Sequence, residues 1–190
     1  FFTFSHENLV ANSDLLIDSN SDGVPDGFTY RDATDISLTN GIFKFTPNKQ
    51  WAKFSSPNVG SFTIGDTYYI FASFKSSSSL VRLLSFYPTT FSQHSGSNQF
   101  EFHSFLITKT SNNNGVYIED SGAFGWTPIE VDYIGAINIT DLVSRGILPS
   151  GLTNSQYKDI LDNAIYNNVP LRESDFISVE PSVAYRLIKA

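Results

Sequence analysis

Residues 67–75 read Thr-Tyr-Tyr-Ile-Phe-Ala-Ser-Phe-Lys. Successive side chains of a strand point to opposite faces, so Tyr69 and Phe71 share one face. The other face carries Tyr68, Ile70 and Phe74. A strand that is apolar on both faces is usually central in its sheet and covered on both sides. The stretch therefore predicts the middle strand of a layered β fold.

Short apolar segments separated by polar turns lie on both sides of this central strand. We expect further strands at residues 8–17, 28–31, 36–39, 42–46, 50–56, 80–87, 100–108, 116–119 and 126–140. Segment 80–87 is expected to pair with the central strand, and 89–98 to form a polar loop. Asn40-Gly41 is a strong signal for a two-residue hairpin. Strands this short and this regularly spaced favour an all-β fold, a jelly-roll β-sandwich.

The amino-acid composition of the chain argues against several classes of function. The chain has 190 residues, 15% aromatic, and a formal net charge of −7, which argues against nucleic acid as a partner. It has no Cys, so a disulfide framework is excluded, and no Met, so we expect a fragment or a trimmed product. No apolar run reaches transmembrane length, and we expect no membrane insertion.

The chain changes character after Thr140. Gly and Pro residues interrupt it at 146, 149 and 151, and Thr153 and Gln156 then form a capping box. An apolar face at helical spacing follows, consisting of Tyr157, Ile160, Leu161, Ala164 and Ile165. We therefore predict three parts: a sandwich over 1–140, a loop and a short docked amphipathic helix over 141–170, and a connector over 171–190.

An acidic loop at residues 18–28 reads Asp-Ser-Asn-Ser-Asp-Gly-Val-Pro-Asp-Gly-Phe. Its spacing matches positions 1, 3, 5, 7 and 9 of a calcium loop, with Gly23 at the sharp turn. The predicted Ca²⁺ ligands are Asp18, Asn20, Asp22, the Val24 carbonyl and Asp26. The alternative is a surface loop rich in Asx turns.

The loop cannot complete a calcium site alone. Thr29 occupies position 12, where an EF-hand has a bidentate Glu, and no amphipathic helix precedes Asp18. The first and last strands of a jelly roll often lie side by side. Asp132 or Glu130, in the last predicted strand, would then approach the loop and supply a further ligand.

Sugar binding needs exposed aromatic faces flanked by amides and hydroxyls. The candidates are Trp51, Trp126, Tyr87 and Tyr117, each of which could instead pack in the core. Trp126 follows a Gly-rich loop and precedes Pro128, and Trp51 lies beside Gln50 and near Lys53. Both contexts favour exposure.

We find no signature of catalysis. The sequence has no nucleophile elbow, no zinc-protease motif and no phosphate loop. Its three histidines, His6, His94 and His103, are far apart in sequence, although each could meet a carboxylate in space. A hydrolytic carboxylate pair could be Glu101 with Glu119 or Asp120. Solvent-facing strand charges explain these carboxylates more simply, and we predict that the protein is not an enzyme.

The order of these segments resembles the carbohydrate-binding-module-like jelly rolls of bacteriophage tail, baseplate and fibre proteins. Residues 8–28 resemble the start of such domains, where an acidic Asp-Gly-x-Pro-Asp loop precedes an aromatic residue. Residues 65–75 resemble the middle strand pair, and residues 130–142 resemble the closing strand and the segment after it. The resemblance covers most of residues 8–165.

The resemblance implies a receptor-binding module on the virion tail, outside the cell. Its function would be attachment to host cell-surface glycan without catalysis, its partners that polysaccharide and other virion tail proteins. It also implies that the calcium is structural and that Asp132 is a ligand. The alternatives are a structural virion spacer or trimerisation domain, and an accessory glycan-binding module of a secreted bacterial enzyme.

Overall fold

Two five-stranded antiparallel sheets lie face to face in the computed structural model of the chain. The structure describes residues 2–3, 8–11, 13–57, 62–85, 90–112, 115–122, 126–166 and 178–179. The strands are β1 (Phe2–Thr3), β2 (Thr29–Arg31), β3 (Ala33–Thr39), β4 (Ile42–Pro47), β5 (Ala52–Ser55), β6 (Thr67–Lys75), β7 (Val81–Ser85), β8 (Phe91–Gln93), β9 (Phe100–Thr108), β10 (Val116–Asp120), β11 (Ile129–Asn138) and β12 (Ser178–Val179). The helices are α1 (Ile139–Ser144) and α2 (Asn154–Tyr166).

The chain crosses between the two sheets repeatedly. One sheet, which we call the helix-backed sheet, has the order β3-β4-β11-β6-β9. The other, which we call the open sheet, has the order β2-β5-β10-β7-β8. A separate pair joins β1 to β12. The predicted fold class, a jelly-roll β-sandwich followed by a short C-terminal helix, is confirmed.

The central strand has the predicted bounds and the predicted burial on both faces. Tyr68, Ile70 and Phe74 point into the sandwich, where they join a core contributed by both sheets. Tyr69 and Phe71 point the other way and join a second apolar cluster with the two helices. β6 therefore lies in the middle of a three-layer structure: open sheet, helix-backed sheet, helices.

The helical layer is positioned by one apolar face and one polar anchor. Helix α2 begins at the predicted capping box, in which the Gln156 N–H donates to Thr153 Oγ1 at 3.3 Å. Its apolar residues are buried against the sheet as predicted, with Leu161 fully inaccessible. Asp162 accepts hydrogen bonds from the Tyr69 hydroxyl and the Ser104 hydroxyl, both at 2.6 Å. These bonds satisfy the polar atoms that the docked helix covers.

The first segment of the chain runs beside β11, as the jelly-roll topology predicts, but it is not the predicted strand. Asn8 forms an isolated antiparallel bridge with Ile137, and the Ile134 N–H donates to the Ser13 carbonyl at 3.1 Å. Leu15 has a left-handed backbone, with φ of 57°, which a strand cannot accommodate. The segment therefore runs along β11 as an irregular chain.

Three other expectations about the strands are wrong. Strand β7 does not pair with β6, because residues 76–80 carry the chain to the open sheet, where β7 pairs with β8 and β10. The expected polar loop 89–98 contains β8. The last long strand ends at Asn138 and not at residue 140, because the Asn138 side chain accepts the Asp141 N–H at 3.0 Å and caps α1.

The hairpin between β3 and β4 is as predicted. Asn40 and Gly41 have φ of 52° and 76°, and both central residues of a type I′ turn need positive φ. Thr39 pairs with Ile42. Of the predicted connector 171–190, the structure describes β12 alone. Neither helix in the described part of the chain is long and apolar enough to cross a membrane.

Truncation of the buried helix residue tests the helical layer. We expect Leu161→Ala to lower the free energy of unfolding by about 2–5 kcal/mol, because a buried leucine leaves a cavity when shortened. Ser155→Ala, on the exposed side of the same helix, should change it by no more than about 0.5 kcal/mol. Urea denaturation measures both, and equal stabilities of the two variants would show that the helix does not dock.

Candidate functional site

The outer face of the open sheet is the sheet surface that neither the sandwich core nor the helices cover. Its inner side chains, such as Phe54, Leu83 and Ile118, belong to the core. The register places two rows of outward residues across the strands. We call these rows the open face: Arg31, Lys53, Glu119, Arg82 and Gln93, then Thr29, Ser55, Tyr117, Leu84 and Phe91.

Arg82 organises the middle of the open face. Its guanidinium donates two hydrogen bonds to Glu119 Oε1, at 2.8 Å and 3.3 Å. The same guanidinium lies 5.1 Å from the ring centroid of Trp51 and 5.1 Å from that of Phe91. Cation–π contacts of this kind contribute about 0.5–2 kcal/mol each. The ion pair therefore fixes the cation, and the cation holds an aromatic ring on either side.

Trp51 is presented to solvent by a strained backbone. Its φ is +66°, a left-handed conformation that is an outlier for a bulky residue. The Trp51 N–H donates to the Asp120 carbonyl at 2.9 Å, and Arg31 Nη2 donates to the Trp51 carbonyl at 3.0 Å. The side chain is nevertheless 42% exposed. Strain that surrounding contacts maintain is characteristic of functional positions.

Phe91 is the second exposed ring of the open face. It is 48% exposed, on the short edge strand β8. Phe91 was not predicted as a site residue, because its strand of three residues gives too short an alternation to recognise. Arg82 lies within the predicted strand 80–87, but its contacts with both rings depend on the pairing of β7 with β8 and β10. The one available signal is the Phe-Ser-Gln pattern of residues 91–93.

Tyr117 occupies the centre of the open face, half-buried. Lys53 Nζ lies 4.5 Å from the centroid of its ring. Burial and the charge of Arg31 lower the pKa of Lys53, and the Glu119 carboxylate opposes that shift. A Cβ on Gly115 would come within 2.1 Å of the Tyr117 hydroxyl oxygen, so the phenol lies back over Gly115, and a side chain there would displace it.

Of the other two predicted sugar-binding residues, the structure describes Trp126. Trp126 is 36% exposed, and its Nε1 lies 3.5 Å from the Gly122 carbonyl. The adjoining residues Asp120 and Ser121 receive hydrogen bonds from the Trp51 N–H and the Gln50 side chain. Trp51 and Trp126 thus flank one short segment at the end of β10. Tyr87 lies outside the described residues.

The acidic loop is closed by hydrogen bonds from its own backbone. Asp18 accepts the N–H groups of Asp22 and Gly23, at 3.2 Å and 3.0 Å. Asp22 accepts the Val24 N–H at 2.9 Å, and Asp26 accepts the Ser19 N–H at 3.0 Å. Gly23 makes the turn with φ of +81°. The carboxylates therefore line a tight loop, in an arrangement that Asx turns and cation loops share.

The two candidates for the additional calcium ligand lie on β11. Asp132 is half-buried at the bulge between Val131 and Tyr133. Glu130 forms an ion pair with Lys75 Nζ at 3.2 Å. The loop packs against β3, where a Cβ on Gly23 would lie 3.8 Å from the Ser37 Cα, and β4 separates β3 from β11. The participation of Asp132 stays a prediction.

The carboxylates considered for hydrolysis are not brought together. Glu101 lies on β9 of the helix-backed sheet, whereas Glu119 and Asp120 lie on β10 of the open sheet. Glu119 is held by Arg82, and Asp120 accepts the Gly122 N–H at 2.8 Å. Each of the two β10 carboxylates therefore has a structural partner of its own.

No protein-family model and no curated protein matches the chain. Solved structures of family 29 carbohydrate-binding modules are similar to it. A CBM29-2 mutant complexed with cellulohexaose aligns with a TM-score of 0.47 and 12% identity, over 69% of this chain and 88% of that one. CBM29_1 from Piromyces equi aligns with a TM-score of 0.43 and 18% identity, over 65% of this chain and 90% of that one. At this level of similarity, the ligands of those modules do not identify a ligand for this chain.

The strain at Trp51 can be tested by comparing two substitutions. We expect Trp51→Gly to be at least as stable as Trp51→Ala, by up to about 1 kcal/mol, because glycine adopts positive φ without a steric penalty. At an ordinary strand position glycine would be the less stable of the two. Thermal or urea unfolding measures the difference, and a clearly less stable glycine variant would show that the backbone at Trp51 is unstrained.

Proposed function

We propose that the protein is a non-catalytic carbohydrate-binding module that takes cell-surface polysaccharide on the open face. One observation carries the proposal: the exposed rings of Trp51 and Phe91 both lie against the Arg82 guanidinium on the outer face of the open sheet, where Ser55, Leu84 and Glu119 are themselves buried. Two rings held on either side of one cation provide neighbouring stacking positions. In an extended polysaccharide, two sugar rings of one chain would stack on these two aromatic rings.

The chemistry of the open face suits sugars. Pyranose rings present C–H groups that pack on aromatic faces, and their hydroxyls both donate and accept hydrogen bonds. Lys53, Arg82 and Gln93 offer donors close to the rings, and the Glu119 carboxylate offers an acceptor. In ligand sites, a small number of fixed polar groups beside aromatic rings sets the orientation of the ligand.

The fixed charges of the open face favour binding over catalysis. Glycoside hydrolysis uses two carboxyl groups flanking the scissile bond. Of the ten residues in the two rows of the open face, Glu119 is the one with a carboxylate, and Arg82 binds it at 2.8 Å. The cation–carboxylate pair thus has a positioning role, which supports a module that recognises sugar without cleaving it.

The setting of the module is part of the proposal. The segment order resembles phage tail, baseplate and fibre domains, and we propose host attachment as the role of glycan binding. An accessory module of a secreted bacterial enzyme would use the same surface. The genomic neighbourhood separates the two: tail genes would support the virion, and carbohydrate-utilisation genes would support the secreted enzyme.

Binding to whole cells and to a glycan array tests the function. The chain should be presented as an oligomer, since multivalency raises avidity by about 10²–10⁴ over a weak single site. We expect Trp51→Gly and Phe91→Ala to lose about 30-fold or more in affinity, the effect of truncating a binding hot spot. Trp126→Ala should weaken binding less, because Trp126 lies against the Gly122 carbonyl and is less exposed than Trp51 and Phe91.

The matched control is Phe100→Ala. Phe100 is 43% exposed, close to the 48% of Phe91, but it lies on β9 of the helix-backed sheet. Its loss should leave binding unchanged. Added salt should also have little effect, because Glu119 neutralises Arg82 and Asp32 pairs with Arg31. An oligomer that binds no cell and no glycan would contradict the proposal and favour a structural spacer.

We also propose that the loop of Asp18, Asn20, Asp22, Val24 and Asp26 binds a structural Ca²⁺. Carboxylate, amide and carbonyl oxygens are the donors that Ca²⁺ prefers, and the loop concentrates them within nine residues. A loop with three carboxylates is also relieved of mutual repulsion when a cation binds. The donor set therefore fits the ion.

Calcium should stabilise the fold by mass action. At a hundredfold excess over its dissociation constant, an ion that binds the native state alone adds about 2.7 kcal/mol. We expect the melting temperature to rise with millimolar Ca²⁺ and fall with chelator, and Asp22→Ala to abolish the difference. Ser19→Ala, whose side chain is outside the predicted donor set, should preserve it. Identical melting of the wild type in Ca²⁺ and in chelator would leave the loop as an Asx-turn structure.

A further inference from the structure

We propose that His94, Glu101 and His103 bind one divalent transition-metal ion of the zinc class. The three residues meet where β8 and β9, the edge strands of the two sheets, approach each other. One potential ligand atom from each residue lies within 4.8 Å of the others. This cluster is separate from the open face and from the acidic loop.

The strands bring the three side chains together. Glu101 and His103 are two residues apart on β9 and so share the face that points to the sandwich interior. His94 follows β8 directly. Phe74 supports both imidazoles: its ring centroid is 4.6 Å from that of His103, nearly parallel, and 5.4 Å from that of His94. Packing on one phenyl ring limits the freedom of both histidines.

Each histidine has one ring nitrogen facing Glu101 and a second ring nitrogen held by a hydrogen bond. His94 Nε2 lies 3.0 Å from the Gln99 carbonyl, which can only accept, so Nε2 carries the proton and Nδ1 has the lone pair. His103 Nδ1 lies 2.9 Å from Ser92 Oγ, which leaves Nε2 to face Glu101. Histidines that bind metal usually have this second contact, which fixes ring orientation and tautomer.

His103 Nε2 lacks a hydrogen-bond partner. The residue is 7% exposed, and Nε2 is buried, yet it has no hydrogen bond and faces Glu101 Oε2 at 3.4 Å. Buried polar atoms are rarely left in this state. Burial and the nearby His94 lower the pKa of His103, while Glu101 opposes the shift. A buried imidazole nitrogen that has no hydrogen bond and lies beside a carboxylate and a second imidazole is suited to bind a metal ion.

The separation of His103 from Glu101 matches that of a tetrahedral site, and the three ligand atoms, which lie within 4.8 Å of one another, would move closer together around an ion. Zinc bonds to nitrogen and oxygen of about 2.0–2.1 Å place tetrahedral ligand atoms about 3.3–3.5 Å apart. His103 Nε2 is 3.4 Å from Glu101 Oε2, and His94 Nδ1 is 3.7 Å from Glu101 Oε1. The Glu101 side chain is 24% exposed, which gives the ion a route in from solvent.

Binding of the ion would replace or rearrange some of the hydrogen bonds that His94 and Glu101 now accept. The Gly96 N–H donates to His94 Nδ1 at 2.9 Å, and this bond would be replaced. Glu101 accepts hydrogen bonds from the hydroxyls of Ser95 and Ser97, which can rotate, and from the Ser95 N–H. Burial raises the pKa of Glu101, but these hydrogen bonds outweigh it and lower the pKa to about 2. The carboxylate is therefore ionised, as a ligand must be.

The donor set indicates which ion binds. Two imidazole nitrogens and one carboxylate suit zinc and its neighbours in the transition series, whereas Ca²⁺ takes oxygen ligands. Because His94 belongs to the open sheet and the other two ligands to the helix-backed sheet, the ion would join the two edges of the sandwich. Its effect would be structural.

Isothermal titration of the untagged full chain with Zn²⁺ alone, in millimolar Ca²⁺, tests the site. We expect one ion per chain, and a rise in melting temperature on binding. His94→Gln and His103→Gln should weaken binding by about 100-fold or more, since even the loss of an outer contact to a ligand costs about 10–100-fold. His6→Gln, which changes the remaining histidine of the chain, should bind as the wild type does.

A second measurement keeps the test decisive if a histidine variant fails to fold. Co²⁺ bound to the wild type should show the intense visible absorption of four- or five-coordinate cobalt, and Zn²⁺ should displace it. Three outcomes would overturn the site: no binding of zinc to the wild type, the pale spectrum of six-coordinate cobalt, or full affinity in both folded histidine variants.

Discussion

Burial of β6 on both faces is the constraint on which the rest of the structure depends. One face needs a second sheet opposite it, and the other needs a covering layer that the sheets do not supply. The Tyr69 hydroxyl makes the second requirement specific, because it is buried and must have a partner. Burial and the Asp162 carboxylate raise the pKa of Tyr69, so the phenol stays protonated and donates to α2. The helix can therefore dock in one place.

This arrangement also decides where function can lie. The helices occupy the outer face of the helix-backed sheet, so the outer face of the open sheet is the broad sheet surface left to a ligand. There the exposed rings are not scattered: the ion pair of Arg82 and Glu119 sets the spacing of Trp51 and Phe91. Because the Arg82 guanidinium holds both rings in place before a ligand binds, binding costs less side-chain conformational entropy.

The edge of the sandwich raises a different physical problem. Edge strands β8 and β9 expose unpaired backbone groups, and proteins protect such edges by cover, charge or short length. Here β8 is three residues long, and the cluster of His94, Glu101 and His103 lies between the two edges. An ion bound by all three residues would link β8 to β9 and so protect the same edge.

The sequence alone determined what neighbouring residues decide. It predicted the bounds and double burial of β6, the Asn40-Gly41 hairpin, and the helix that begins at Thr153, because alternation, turn chemistry and capping act over a few residues. Its ring candidates for sugar binding, which stay predictions, included Trp51 but not Phe91. Tertiary structure decided which strands pair, that β7 lies across the sandwich from β6, and that Arg82 meets two rings. Those contacts join residues on different strands, nine positions apart for Arg82 and Phe91 and 31 for Arg82 and Trp51, and sheet register, which no local signal encodes, brings them together.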